Sequence, residues 1–314
     1  MRSIEMFSRL RYHVNRKWFD LNTKTILNTR PMKCDYRSSV VFVTQLRHRD
    51  LFMYLLAVKS LGRFIAPQKV FVLDDTSLRS KDKSILRGHI EQIEIIPITE
   101  VQNENCPKGG TWERLIFISN IVGSYYAIQL DSDTLTLKKP DEVIAFVKDE
   151  RAFTLAGGLG RYKSQTEISP MEEVCIERKQ NLRGINHVQP ISEENFDKLQ
   201  NYKTLKYVRG CSGFAGFAKQ TFSREMVEVL STSLSKIVGA GKWGEWGSEQ
   251  VTSNIIVANI LGAAVLPFPK YCSHYPSVEV NASTFIHFIG THRFMKGNYT
   301  DLSKKVINEL SSSC

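Results

Sequence analysis

The chain has six cysteines, at 34, 106, 175, 211, 272 and 314, and no CxxC pair among them. Thiols scattered this way argue against a zinc ribbon and a disulfide framework, and reduced thiols are the plain reading. There is also no unbroken apolar run of the roughly 18 residues that a membrane span needs. The longest candidate, "SNIIVANILGAAVLPF", is interrupted by polar residues. No apolar core with a small-residue cleavage site follows the basic N-terminus, so no signal peptide is expected and the expected location is cytoplasmic. In that setting the sequons Asn281-Ala-Ser and Asn298-Tyr-Thr carry no weight. Low-complexity tracts and internal repeats are absent as well, which sets aside disordered and solenoid classes. What is present is an ordinary globular composition: 314 residues, 42% hydrophobic and 10% aromatic, enough for one large core or two modest ones.

Charge is unevenly placed. Residues 1 to 33 hold Arg2, Arg9, Arg11, Arg16, Lys17, Lys24, Arg30 and Lys33 against Glu5 and Asp20, so most of the chain's net +10 lies in this arm. Within it Phe7, Leu10, Val14, Trp18 and Leu21 recur at helical spacing, placing them on one face of a helix. A basic amphipathic helix can lie on an anionic membrane surface, giving peripheral contact through residues 1 to 33. Most such stripes pack on the protein's own core, and that is the plainer expectation. No reader motif accompanies the basic residues, so nucleic acid is not an expected partner.

From about residue 39 the pattern alternates. "SVVFVTQ" and "KVFVLDD" are apolar runs of strand length, separated by the helical "DLFMYLLAVKSLG". "DKSILRGHI", "IEIIPI", "TWERLIFISNIVG" and "YYAIQL" continue as helix, strand, helix and strand. Strands buried on both faces and alternating with helices predict an α/β fold with a mostly parallel sheet, whose ligands sit at the carboxyl ends of the strands. Residues 157 to 206 are charged and broken by Gly, Pro and Asn, and read as an insertion within a domain of residues 39 to 314, behind an arm of residues 1 to 38. The strand "GFAGFA", a helix around 222 to 234, the loop "GAGKWGEWG", the helix "SEQVTSNIIVANI", the strand "AVLPF" and "STFIHFIGTHRF" complete the chain.

"YYAIQLDSDTL" ends an apolar strand with Asp131 and Asp133. In an extended segment alternate side chains face the same way, so both carboxylates can approach one hard cation such as Mg²⁺ or Mn²⁺. The ordinary alternative is a solvated turn, where Asp is common.

Two families carry an apolar strand ending in this way. "IQLDSDTL" resembles the first motif of haloacid-dehalogenase-type phosphatases, in which Asp131 would be the nucleophile. That family needs a later acidic pair, and the downstream aspartates Asp141, Asp149, Asp197 and Asp301 are isolated. The broader resemblance is to nucleotide-sugar glycosyltransferases of the GT-A fold, the family 8 group of glycogenin and the bacterial lipooligosaccharide galactosyltransferases. "WERLIFISNIVGSYYAIQLDSDTL", "GCSGFAGF", "SEQVTSN" and "HFIGTHR" are similar to four motifs of that family, in order, across about residues 39 to 296. The resemblance implies a Rossmann-like central sheet and transfer of a hexose from a UDP-type donor to an acceptor hydroxyl.

It also implies roles. Asp131, Asp133 and His287 would bind Mn²⁺, or Mg²⁺, and Gly290 and Arg293 would meet the diphosphate. Arg114 and Ser212 would contact the donor, while Val43 and Thr44 would line the base and ribose pocket. Gln250 would lie near the anomeric carbon, with retention of configuration; were the reaction inverting, the neighbouring Glu249 would be the general base. An acid in the first turn of a helix also has a purely structural use. The chain departs from the family at Cys211, where Asn is usual, at Glu249 and Val251, where acids are usual, and at Arg293, where Lys is usual. A phosphatase, or a non-catalytic nucleotide- or membrane-binding protein, remains the alternative, and the acceptor, whether glycan, lipid or protein, is open.

Overall fold

Each apolar run of strand length becomes a strand because the sheet that receives it is covered on both faces. The computed structural model describes residues 2–101, 103–181 and 185–312, without the side chains of residues 2–10 and 291. Helix α1 (Arg2–Thr23) precedes β1 (Val40–Leu46), α2 (Leu51–Gly62), β2 (Lys69–Asp74), α3 (Ser80–His89), β3 (Ile93–Pro97), α4 (Trp112–Ile121) and β4 (Tyr126–Leu130). Next come β5 (Thr134–Thr136), α5 (Asp141–Lys148) and β6 (Phe153–Ala156). The charged stretch folds as α6 (Lys163–Thr166), β7 (Ser169–Pro170), α7 (Met171–Asn181), α8 (Val188–Glu194) and β8 (Lys206–Tyr207). It is followed by β9 (Gly210–Phe217), α9 (Arg224–Val238), α10 (Ala240–Trp243), α11 (Ser248–Asn259), β10 (Ala264–Val265), β11 (Tyr271–Ser273), β12 (Phe285–His287) and α12 (Asn298–Ser312).

The central seven-stranded sheet runs β10-β6-β9-β4-β1-β2-β3. Strands β4, β1, β2 and β3 are parallel, and β9 enters antiparallel between β4 and β6. On β1 the side chains of Val40, Phe42 and Leu46 join one apolar cluster, while Val41 and Val43 join the other. Alternation across two buried faces is why this strand reads as a continuous apolar run.

Helix α1 packs on α12 through a face other than the one its periodicity marks. Phe19 and Ile26 are fully buried, with Phe19 stacked on Tyr299. Val14, Trp18 and Leu21 are 57%, 61% and 73% exposed, so this part of the apolar stripe faces outward rather than into the core. Phe7 and Leu10 lie outside the described side chains. Among the described residues no helix is long and apolar enough to cross a membrane.

Candidate active site

Strand register brings the acidic strand end and the C-terminal histidine together. Leu130 of β4 lies opposite Phe214 of β9, and Asp131 N–H donates to the Gly213 carbonyl at 2.9 Å. Short strand β5 then pairs antiparallel with β12, setting His287 opposite Thr134, and Phe288 N–H donates to the Asp133 carbonyl at 2.8 Å. The result places His287 Nε2 3.1 Å from Asp133 Oδ1 and 3.5 Å from Asp131 Oδ2. Gly213 is required beside it, because a Cβ at that position would overlap the imidazole ring.

Arginines hold the far oxygens of both acids. Arg114, 2% exposed on α4, bonds Asp131 Oδ1 and donates to the Ser212 carbonyl at 3.3 Å. Arg293 bonds Asp133 Oδ2 and donates through Nε to the Phe288 carbonyl at 3.0 Å. Burial works to raise the Asp133 carboxyl, but Arg293 and His287 outweigh it and hold it well below the usual carboxylate range. Burial likewise works against a charged His287, and Cys211 with Asp133 reverses that, so the imidazole is raised well above its ordinary value. Cys211 Sγ sits 3.2 Å from His287 Nδ1, which leaves Nε2 for the two carboxylates.

One ligand atom from each of Asp131, Asp133 and His287 lies within 4.8 Å of the others. Ligands around one ion at about 2.1 Å lie ~3 Å apart when adjacent, so the spacing at His287 fits a shared divalent cation. Two carboxylate oxygens with an imidazole suit Mn²⁺, and Mg²⁺ less closely.

These groups open onto a cleft of about 730 Å³. Ser212, Gln250, Gly290 and Arg293 line it, as do Arg114, Asp131, Asp133 and His287. Gly290 has φ of 46°, with open space where a Cβ would stand. Val43 and Thr44, expected at the base pocket, are buried in β1 away from the cleft lining, which takes Gln45 and Arg47 from the end of that strand. Arg114, expected to reach a donor, lines the cleft and bonds Asp131 and the Ser212 carbonyl, while its Nε has no hydrogen-bond partner.

Glu249 and Gln250 part company at the start of α11. The Glu249 carboxylate is 2% exposed and does not line the cleft; it accepts from Thr111 Oγ1 at 2.9 Å and from Ser212 Oγ at 3.3 Å. Burial pushes it up to about 7, against the pull of Arg114. The Gln250 amide faces the cleft: its oxygen accepts from Ser212 N–H at 3.2 Å, and its nitrogen donates to Gln189 Oε1 at 3.2 Å. A phosphatase constellation is not favoured, because the remaining carboxylate of the lining, Asp50, is bonded to Arg16 at 3.1 Å.

Sequence reasoning read residues 157 to 206 as an insertion beside the site without naming any residue it contributes. Tyr162, Arg178, Gln189 and Arg209 all line the cleft, as does Trp246 from the loop before α11. No periodicity or motif marks them; the one local signal was the Gly- and Trp-rich composition of 239 to 247.

No family model matches the chain, and no curated protein matches it. Among solved structures it is similar to an active-site mutant of LgtC at 9% identity and a TM-score of 0.47, covering 84% of this chain and 95% of that one. Mouse xyloside xylosyltransferase 1 matches at 12% identity and a TM-score of 0.44, covering 80% and 97%. The bifunctional glycosyltransferase WbbM matches at 10% and 0.45 over 83% of this chain, which spans only 47% of WbbM. Likenesses this distant do not decide a function, so the site's own groups must carry the reading.

Proposed function

We propose that this chain is a GT-A-type glycosyltransferase moving a sugar from a nucleoside diphosphate donor, UDP-hexose in the first instance, to an acceptor hydroxyl with retention of configuration. The observation that carries the reading is the convergence of Asp131, Asp133 and His287 at the carboxyl end of a parallel strand, beside Arg293 and the open backbone of Gly290. When bound, Mn²⁺ or Mg²⁺ supplies charge stabilisation to the departing diphosphate. Arg293, held on Asp133 and lining the cleft, would add a guanidinium charge beside the same oxygens. Gly290 lets backbone approach a phosphate closely. Arg114 fixes Asp131, and Ser212 with Gln189 fixes the Gln250 amide at the cleft surface, where the bond from anomeric carbon to phosphate oxygen breaks and the acceptor oxygen takes its place.

The outward stripe of α1 supports a second part of the reading, peripheral contact with an anionic membrane. Exposed Val14, Trp18 and Leu21 sit among exposed Arg11, Lys17 and Lys24, a surface whose charge complements acidic headgroups. Deleting residues 1 to 33 is not the way to test it, because that removes Phe19 and Ile26, each worth about 1.5 to 3 kcal/mol of burial. Trp18→Ser with Leu21→Ser should abolish sedimentation with phosphatidylserine vesicles at low salt and leave donor turnover intact. Unchanged sedimentation removes the membrane from the reading.

A panel of UDP-sugars assayed with and without Mn²⁺ tests the main claim. UDP release that requires Mn²⁺ supports the transferase. Turnover of phosphomonoesters instead supports the phosphatase, and turnover of neither leaves a binding protein.

A further inference from the structure

Arg178 of α7, Glu193 of α8 and Arg209, just before β9, meet beneath the cleft surface contributed by residues 157 to 209. Arg178 Nε donates to Glu193 Oε2 at 2.7 Å and Arg209 Nε to Glu193 Oε1 at 2.9 Å, and Nη2 of each arginine also pairs with this carboxylate. Gln189 and Tyr207 add donors to Oε1 at 3.3 and 3.1 Å. The carboxylate therefore has more donors than its four lone-pair positions can serve. Two guanidinium charges face one carboxylate, and Nη1 of each arginine has no partner among the described residues. One carboxylate neutralises at most one of the two guanidinium charges, and burial works to raise Glu193 against the pull of Arg178.

A structural latch between α7, α8 and the start of β9 needs only one arginine to be neutral. Keeping a second is costly in a buried wall unless something supplies the missing anion. Arg178 is 5% exposed yet lines the cleft, as does Arg209, and a guanidinium fork matches a carboxylate or phosphate in geometry. Trp246, 71% exposed, lines the same cleft with its ring 5.9 Å from that of His187, and offers a flat apolar face to a sugar ring. Gln189 joins this wall to the reaction centre, because it bonds both Glu193 and Gln250.

We propose that Arg178 and Arg209 bind the negatively charged group of the acceptor, a sugar bearing a carboxylate or a phosphate whose ring lies against Trp246. The word acceptor rests on the transferase reading; the anion site does not. Binding of glucuronate, glucose 6-phosphate and glucose to the full chain, followed by ligand-observed NMR with UDP and Mn²⁺ present and absent, tests it without turnover. At least one charged sugar should bind ~10-fold or more tightly than glucose, the scale of a charge-assisted pair, and the better one identifies the anion. Arg209→Gln, which leaves Arg178 and Glu193 as a neutral pair, should erase the preference while the thermal transition stays cooperative, and Arg209→Lys should keep part of it. Asp133→Ala should leave the preference intact. Equal binding of glucose, no binding of either charged sugar, or a preference that survives Arg209→Gln overturns the site. A charge preference that appears only between UDP-glucuronate and UDP-glucose moves the anion to the donor and overturns the acceptor assignment.

Discussion

One cleft holds two arginine–carboxylate clusters built from the same side-chain types with opposite outcomes. In the first, Arg114 and Arg293 each take one oxygen of Asp131 and Asp133, and the leftover oxygens turn to His287. In the second, Arg178 and Arg209 share Glu193, and the leftover groups are guanidinium nitrogens. The first is left with acceptors and suits a cation; the second is left with donors and suits an anion. The ratio of arginines to acids, two to two against two to one, sets the polarity of each site, and counting residue types along the chain would not reveal it.

The largest expected effect separates the clusters outright. Asp133→Ala and His287→Ala should each weaken Mn²⁺-dependent UDP binding by at least ~100-fold, more than loss of an outer partner costs, with the fold retained by circular dichroism. Calorimetry showing unchanged UDP binding in both variants breaks the distinction at its cation end. Gln250, which bridges toward the second cluster through Gln189, comes next. Gln250→Ala should lower turnover by about 10²-fold with donor affinity kept, while Glu249→Gln, buried behind the surface, should cost far less. NMR of the first-formed product should show a retained anomeric configuration; inversion together with inactivity of Glu249→Gln would make Glu249 the base.

Smaller effects sharpen the same contrast. Gly213→Ala should destabilise the protein by about 1 to 3 kcal/mol and lower Mn²⁺ affinity, because the added methyl displaces His287; unchanged metal titration would remove His287 from the ligand set. Glu249 predicts a slope rather than a step. Its carboxyl is raised from 4.5 to about 7, so it holds its proton in the folded chain after the unfolded chain has lost it. Stability should therefore fall by about 1 to 3 kcal/mol as pH rises across that window and level off above it. Glu249→Gln should make the fall shallower, leaving the part that Glu193, raised over the same window, contributes, which urea titrations at pH 5 and pH 8 would measure.

How much of this was legible follows from how local each signal is. The parallel strands could be read because burial on both faces makes them unbroken apolar runs, and Asp131 with Asp133 because an i, i+2 pair declares its shared direction. His287 was legible only through its motif, since the pairing of β5 with β12 that delivers it is a tertiary event. The short strands β6 and β11 went unread because each is too brief to show a period, and helix α12 went unread although Leu302, Val306, Ile307 and Leu310 recur at helical spacing. For α1 the period was right and the direction was not: Phe19 and Thr23 bury one face while Val14, Trp18 and Leu21 form another, and periodicity does not say which meets the core. Arg178 on α7, Glu193 on α8 and Arg209 in the link before β9 have no pattern between them, and no sequence rule assembles them.

The β5–β12 pairing also bears on synthesis. Asp133 and His287 are 154 residues apart, so a ribosome that has delivered both aspartates must still produce nearly half the chain before the imidazole arrives. Long-range closure of this kind comes late in folding. A nascent chain released before residue 287 therefore carries the acidic strand end without the imidazole and without the strand that pairs β5.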